Sequence, residues 1–305
     1  MELYEAMRKS CEWAIVVAPK WRILTGMAES LMRAVRKRII PPPLRGKPFR
    51  RLQREFYQRR YRYPTRNLLA IGQQKSGSTW LERMLCDVPG YMRWKPNNIK
   101  FGKADLRLED LVPPPAGYTV TKVHTPPTPE NLRVVHAIGR PYVVLIRDLR
   151  DICVSWSYYV RITPDHPRHA ETKDLPVERV IDYFIRERLE DYVRWQIEWR
   201  RNLHPVLGVL VRYEDMLADT HAVMRLVYAH YGLSLSDELL GRIVAKNSFR
   251  SVTGRAPGQA DATSFNRKGV SGDWRNHLSE AQKAAFKAVG QEALIAGGYE
   301  TSGNW

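Results

Sequence analysis

Between residues 67 and 231, short apolar runs alternate with stretches whose hydrophobic residues recur every three to four positions. Residues 67–72 (NLLAIG) form a run closed by glycine, and helical spacing follows over 79–86. Residues 118–124 (YTVTKVH) alternate apolar with polar and lead into a proline-rich stretch. Residues 142–146 (YVVLI) are continuously apolar, as a strand covered on both faces is, and more helical spacing follows. Residues 208–213 (GVLVRY) repeat the run, with a helix predicted over 219–231. The pattern predicts an α/β fold: one domain with a mostly parallel central sheet flanked by helices, its functional groups gathered at the carboxyl ends of the strands. Upstream, residues 29–40 place Leu31, Met32, Val35 and Ile39 on one helical face opposite basic side chains, and Pro41-Pro42-Pro43 then break the chain.

Charge sharpens this division. The 305-residue chain has a formal charge of +17, and 17 Lys and Arg against 5 Asp and Glu fall within residues 1–66. Residues 67–305 carry 32 against 27 and are nearly balanced. The excess therefore predicts a basic extension that lies on the body as a solvated helix or touches an anionic membrane surface, and nucleic acid is not expected as a partner. At 44% hydrophobic and 27% charged residues the chain is globular rather than disordered. No run approaches the roughly 18 apolar residues of a membrane span. The apolar stretch at 13–18 is too short for a secretory leader, with Glu2, Glu5 and Glu12 around it. Cys11, Cys86 and Cys153 are too scattered for a disulfide framework, so a reducing, cytoplasmic setting is expected.

The run at 67–72 ends where the chemistry begins. Gly72-Gln73-Gln74-Lys75-Ser76-Gly77-Ser78-Thr79-Trp80 joins an expected strand to an expected helix. It keeps the glycine spacing and final hydroxyl of the triphosphate loop G-x-x-x-x-G-K-[ST], but Ser78 holds the lysine position and the lysine has moved back to Lys75. Backbone N–H groups at a helix start still cradle an anion, whereas the lysine geometry suited to a magnesium-bound triphosphate is gone. A 5′-phosphate joined to another group, held without an obligatory metal, fits better. Arg147 follows the run at 142–146 and can pair a phosphate bidentately, with Ser155 brought round by the next helix. Residues 265–277 (FNRKGVSGDWRNH) have two glycines, two adjacent cations and no helical period, the make-up of an anion-binding loop.

These motifs carry a resemblance. KSGSTW after a strand resembles the 5′-phosphosulfate loop of the cytosolic-type sulfotransferases, which use 3′-phosphoadenosine 5′-phosphosulfate (PAPS) and release adenosine 3′,5′-bisphosphate (PAP). Gln74 stands where that family has proline, and Ser78 where it has threonine. Arg147 with Ser155 is similar to the family's 3′-phosphate segment, and RKGVSGDWRNH to its C-terminal RKGxxGDWKNHF element. The resemblance spans about residues 67–277 and divides the chain into a basic extension, 1–66, and a sulfotransferase domain, 67–305.

The resemblance implies roles for particular residues. Lys75, Ser76, Gly77, Ser78 and Thr79 would hold the phosphosulfate. Arg147, Ser155, Arg267, Lys268 and the Gly269 amide would hold the 3′-phosphate. Trp80, Tyr213, Ser248 and Phe249 would surround the adenine, and Asn247 replaces a threonine in the last of these elements. Lys122-Val123-His124-Thr125-Pro126 resembles the family's KxHxP element, which makes His124 the base, Lys122 a partner of the sulfuryl oxygens and Lys75 a partner of the bridging oxygen. Ser155 would hold Lys75 back until the acceptor arrives. Of the eight histidines, His124 alone stands at an expected strand end. Neither a metal nor a covalent intermediate is implied.

The expected reaction is in-line transfer of a sulfuryl group from PAPS to a hydroxyl, or an amine, of a small-molecule, lipid or glycan acceptor. A P-loop kinase or NTPase would need a lysine at Ser78 and an acidic metal ligand at a later strand end, where Arg147 stands. A basic membrane- or nucleic-acid-binding module would carry its charge on the body. The acceptor is expected between the loops at 89–115 and 161–176. The first holds Trp94, Lys95, Lys100, Phe101 and Lys103, a mixture suited to an amphiphilic or acidic acceptor. Association as a homodimer stays open.

Overall fold

The computed structural model describes residues 47–95, 105–114 and 116–305. The amphipathic stretch at 29–40, the triproline, and Lys100, Phe101 and Lys103 lie outside them. Two compact units are distinguished, residues 1–54 and 55–305. Of the first, described residues 47–54 open helix α1 (Lys47–Arg60).

The second unit is built on β1 (Asn67–Gly72), β2 (Tyr91–Arg93), β3 (Tyr118–Val123), β4 (Tyr142–Ile146) and β5 (Gly208–Arg212). Among the described residues they form one parallel sheet in the order β2-β3-β1-β4-β5. The longer helices that follow α1 are α2 (Ser78–Cys86), α3 (Pro129–Ala137), α4 (Leu149–Arg161), α5 (Val177–Glu187), α6 (Leu189–Arg201), α7 (Thr220–His230), α8 (Asp237–Lys246) and α9 (Glu280–Ala296). Alternation along each strand divides the core. Leu68, Ala70, Val143 and Leu145 pack on α2, α7 and α8, while Leu69, Ile71, Val144 and Ile146 pack on α3 and α6. Both faces are covered, which is why β1 and β4 read as continuous apolar runs. A further cluster joins α4, α5 and α9. No helix among the described residues is long and apolar enough to cross a membrane.

Short polar side chains set the helix starts. Asp148, Asp219, Ser236 and Ser279 each accept an N–H from the first turn that follows. Asp219 was expected inside the helix at 219–231 and instead caps it. Tyr213, expected as the last residue of a strand, opens the short helix Tyr213–Ala218. Strand β2 and helices α5 and α6 had no assignment in the pattern.

The boundary expected at 66/67 falls inside the second unit. Tyr61 and Tyr63 stack with centroids 5.6 Å apart, and Tyr63 packs on Tyr91 and Tyr118 at 5.2 and 5.0 Å. Thr65 donates its hydroxyl to the Tyr231 carbonyl at 2.8 Å, and Arg66 donates to the Pro114 carbonyl at 2.9 Å. Residues 55–66 are thus tied to the sheet edge by aromatic packing that charge counting does not register.

Candidate active site

Strand register gathers the expected chemistry. Gly72 of β1 lies beside Leu145 of β4, Val123 of β3 beside Ile71 of β1, and Arg212 of β5 beside Ile146 of β4. His124, the turn at 73–77, Arg147 and Tyr213 therefore leave adjacent strand ends on one edge of the sheet, where parallel α/β folds place their ligands.

The turn into α2 is sharply wound. Lys75 takes φ 67° and Gly77 φ 92°, the left-handed region that costs a non-glycine residue about 1–3 kcal/mol. A Cβ on Gly77 would come within 2.5 Å of the Tyr213 ring, so glycine is needed there for space as well. Ser76 is buried and donates its hydroxyl to the Gln73 carbonyl at 2.8 Å. Its main-chain N–H reaches the same carbonyl at 3.2 Å, so both donors of Ser76 brace the turn. Gln73 is held in turn by the Tyr192 carbonyl at 2.9 Å and by Gln196, whose amide also reaches the Arg147 carbonyl at 2.7 Å. In the first turn of α2 the Trp80 N–H is taken by the Gly77 carbonyl at 2.9 Å, which leaves the Ser78 and Thr79 N–H groups without helical partners and available to an anion.

Arg147 is the hub. Its Nη1 donates to the Lys75 carbonyl at 3.1 Å and Nη2 to the Val270 carbonyl at 3.3 Å, while its guanidinium stacks 4.2 Å from the Tyr213 ring centre. Its buried Nε has no protein partner. Asp151, one turn further on α4, accepts the Gly272 and Trp274 N–H groups at 2.6 and 3.0 Å and so docks the segment after Lys268. Asp273 accepts from Arg267, from Lys268 at 2.6 Å and from Asn276 at 3.0 Å. The cations hold its carboxyl well below the usual carboxylate range despite burial, which acts first and in the opposite sense. Arg255 donates to the Asn266 and Arg267 carbonyls at 2.5 and 2.8 Å and so staples the loop. Gly269 takes φ 66°, and a Cβ there would meet the Phe249 ring at 2.3 Å.

A cavity of about 250 Å3 opens between these elements. Lys75, Gly77, Ser78, Thr79 and Trp80 line it from the turn and α2, and Arg147, Ser155 and Tyr213 from the strand-end side. Ser248, Phe249, Arg267, Lys268 and Gly269 close it from the C-terminal segments. Trp80 is held by its indole N–H on the Asn247 carbonyl at 2.9 Å and meets Tyr213 edge-on, with ring centres 5.9 Å apart. Asn247 also lines the cavity, but its side-chain amide is committed to Asp87 and the Ile243 carbonyl at 2.7 and 2.9 Å. Ser248 donates its hydroxyl to Ser251 at 2.8 Å and caps the short helix Phe249–Thr253.

Lys122 on β3 and His124 just past its end stand beside this cavity rather than among its lining. The His124 Nδ1 hydrogen-bonds to the Gly72 carbonyl. A carbonyl only accepts, so Nδ1 carries the proton and Nε2 is the basic nitrogen. Part of the residue reaches solvent, yet the protein packed around the ring weakens hydration of its charged form. That desolvation, reinforced by the Lys122 ammonium, pushes its pKa down to about 4. Lys122 donates to the Thr79 hydroxyl at 2.9 Å and pairs with the buried Glu82 carboxylate at 3.5 Å. Burial lowers the Lys122 pKa and Glu82 opposes the shift. Lys75 has no carboxylate partner among the described residues. Its Nζ lies 3.9 Å from the Phe265 ring centre and 4.4 Å from that of Tyr159 rather than on the Ser155 hydroxyl. Burial, then Arg147, Arg267 and Lys122, lowers its pKa to about 7.

Sequence reasoning missed Gln73, Glu82, Asp151, Arg255 and Asp273 as supports. Asp273 stood inside a quoted motif and Asp151 one helical turn from Arg147, whereas nothing local marked Arg255 or Glu82. His169, His204 and His230 bond main-chain groups, and His277 rests on Asp273.

With that geometry described, comparison with known proteins is direct. Dog sulfotransferase 1A1 is 27% identical over 251 residues, which cover 73% of this chain and 81% of the relative. Zebrafish sulfotransferase 6B1 is 23% identical over 233 residues, 71% of this chain and 74% of the relative. Among solved structures, mouse sulfotransferase SULT7A1 complexed with PAP superposes with a TM-score of 0.60 at 18% identity, covering 80% of this chain and 88% of that one. A retinol dehydratase in complex with androsterone and PAP gives a TM-score of 0.54 at 19% identity, covering 78% and 83%. At such identity the superpositions speak for the fold. The sulfotransferase domain is matched by residues 120–298, more than half of the chain, and the protein therefore belongs to the sulfotransferase family.

Proposed function

We propose that this sulfotransferase binds PAPS in the cavity between the 73–80 turn and the 265–270 loop, and transfers the sulfuryl group in line to a hydroxyl of a small-molecule acceptor with His124 as base. One observation carries the reading: the bond from His124 Nδ1 to the Gly72 carbonyl turns a neutral Nε2 outward at the strand end next to the phosphate turn. Neighbouring structures of the same fold were solved with PAP. The residues here suit such a ligand, with an unpartnered buried Arg147 Nε and two glycines, Gly77 and Gly269, where a Cβ would collide with Tyr213 and Phe249.

The donor supplies an activated sulfuryl group; the chain's residues do the rest. The α2 N-terminus, Ser78 and Thr79 hold the 5′ anion, and Arg147, Ser155, Arg267 and Lys268 hold the 3′-phosphate. Trp80 and Phe249 stack the base. His124 Nε2 takes the acceptor proton as the new S–O bond forms. The old S–O bond breaks towards the phosphate, where Lys75 neutralises the oxygen left behind. Lys122, anchored to Thr79 and Glu82, adds positive charge at the sulfuryl oxygens.

A thermal-shift measurement tests the ligand class. PAP at about 100 times its Kd stabilises the fold by about 2.7 kcal/mol, and ATP with Mg2+ at the same concentration is expected to give a clearly smaller rise in Tm. An equal or larger response to ATP with Mg2+ contradicts the reading. The basic residues 1–46 we assign to location at an anionic surface of the cytoplasmic compartment. Replacing Arg36, Lys37 and Arg38 together by glutamine is expected to reduce binding to vesicles containing phosphatidylserine while turnover of a soluble acceptor holds. Unchanged vesicle binding in a sedimentation assay overturns that assignment.

A further inference from the structure

Among the described residues, the charges that bear most on the Lys75 ammonium are positive: Arg147 from the end of β4, Arg267 from the C-terminal loop and Lys122 from β3. What faces it instead is aromatic. The Phe265 and Tyr159 rings stand perpendicular at 85°, with centroids 5.8 Å apart, and the ammonium lies within 4.4 Å of both centres. Such faces attract a cation electrostatically, most strongly where water is scarce. Tyr159 follows Ser155 by one turn of α4 and so presents to the same side. Phe265 is 49% exposed, so core packing does not account for it. It precedes Asn266 and Arg267, whose carbonyls Arg255 staples, and Asp273 anchors the cations of Arg267 and Lys268 that follow.

We propose that Tyr159 and Phe265 are positioning residues that form a cation–π seat for Lys75, through which the loop binding the 3′-phosphate sets the placement and charge of the lysine at the transfer point. The proposal rests on the sulfuryl-transfer reading given above. The rings favour the ammonium where Arg147, Arg267 and Lys122 disfavour it. The seat also belongs partly to the loop that carries Arg267 and Lys268, so order imposed there by a phosphate reaches Lys75 without a direct bond between the two.

The test measures kcat, KM for PAPS and the pH dependence of kcat/KM in Phe265→Leu and Tyr159→Leu, with Phe265→Tyr and Tyr159→Phe as ring-keeping controls. The leucine variants are expected to lose kcat about 10-fold near pH 8 with PAP affinity changed less than about 3-fold. Their alkaline limb should move down by about 0.5–1 pH, the size of a lost cation–π contact. The ring-keeping variants should restore both rate and limb, and Lys75→Arg should abolish the limb in whatever rate remains. Melting curves confirm that each variant is folded; Phe265 is half-exposed, so its leucine variant provides the test even if that at Tyr159 unfolds. Folded leucine variants with the wild-type limb and kcat overturn the proposal, as does failure of both ring-keeping controls to restore the limb. PAP binding and dependence on His124 are measured on the same preparations, and their loss from the wild type counts instead against the sulfuryl-transfer reading.

Discussion

Alanine or glutamine at position 124 is expected to lower kcat by about 10²–10⁴, the range for removal of a general base, while PAP affinity stays near that of the wild type. The affinity should hold because the phosphate contacts come from the phosphate turn, Arg147, Ser155 and the 265–270 loop, while His124 is not among the lining residues and bonds instead to the Gly72 carbonyl. The pH profile adds a sharper mark. Desolvation and Lys122 hold the His124 pKa down at about 4, and the neutral ring is the active form. The profile of kcat/KM for PAPS, which reports the free enzyme, therefore falls as pH drops through about 4. Lys75 is active when charged and its pKa is lowered to about 7, so the profile also falls as pH rises through that value. The His124→Ala variant should lose the acid limb and keep the alkaline one. Turnover of a weakly acidic alcohol at the wild-type rate by that variant would remove His124 from the mechanism.

The second large effect separates binding from chemistry. Lys75→Met should act mainly on kcat, by about 10²–10³, because the charge it meets develops as the S–O bond breaks. Arg147→Lys should act mainly on PAP binding, by about 10²-fold, because charged hydrogen bonds are worth about 1.5–3 kcal/mol each and the 3′-phosphate is charged throughout. Lysine is the better probe at position 147 because the guanidinium also ties the Lys75 and Val270 carbonyls. Isothermal titration with PAP beside steady-state kinetics reads both parameters. If both variants lose affinity and kcat in equal proportion, the two roles are not distinct.

Strands β1 and β4 were legible to the residue because continuous apolar runs ending in Gly72 and before Arg147 match strands buried on both faces. Helices α5 and α6 were not read, although α6 supplies Gln196, which locks Gln73 to Arg147. Its apolar positions are interleaved with Arg and Glu, and only packing against α9 and the sheet tells which face is inside. The boundary at 66/67 was drawn from charge density, which gives no weight to the tyrosine stack of Tyr61 and Tyr63 on Tyr91 and Tyr118. Ser76 looked like a ligand residue by motif, and its fully buried hydroxyl is spent inside the turn.

By itself the sequence determined the α/β class, the phosphate turn, the cations of the C-terminal loop and the histidine at a strand end, all written in local patterns of a few residues. Tertiary structure alone decided the sheet order that sets β3 and β4 on either side of β1, and with it the meeting of His124, Lys75, Arg147 and Tyr213. It also decided the tautomer of His124, fixed by a carbonyl 52 positions away, and the aromatic surroundings of Lys75, drawn from α4 and a loop more than a hundred residues beyond it. Local patterns arise from interactions within a turn or a strand. Proton location and the field at a lysine depend on which distant groups the folded chain brings within a few ångströms, and a linear pattern does not encode that distance.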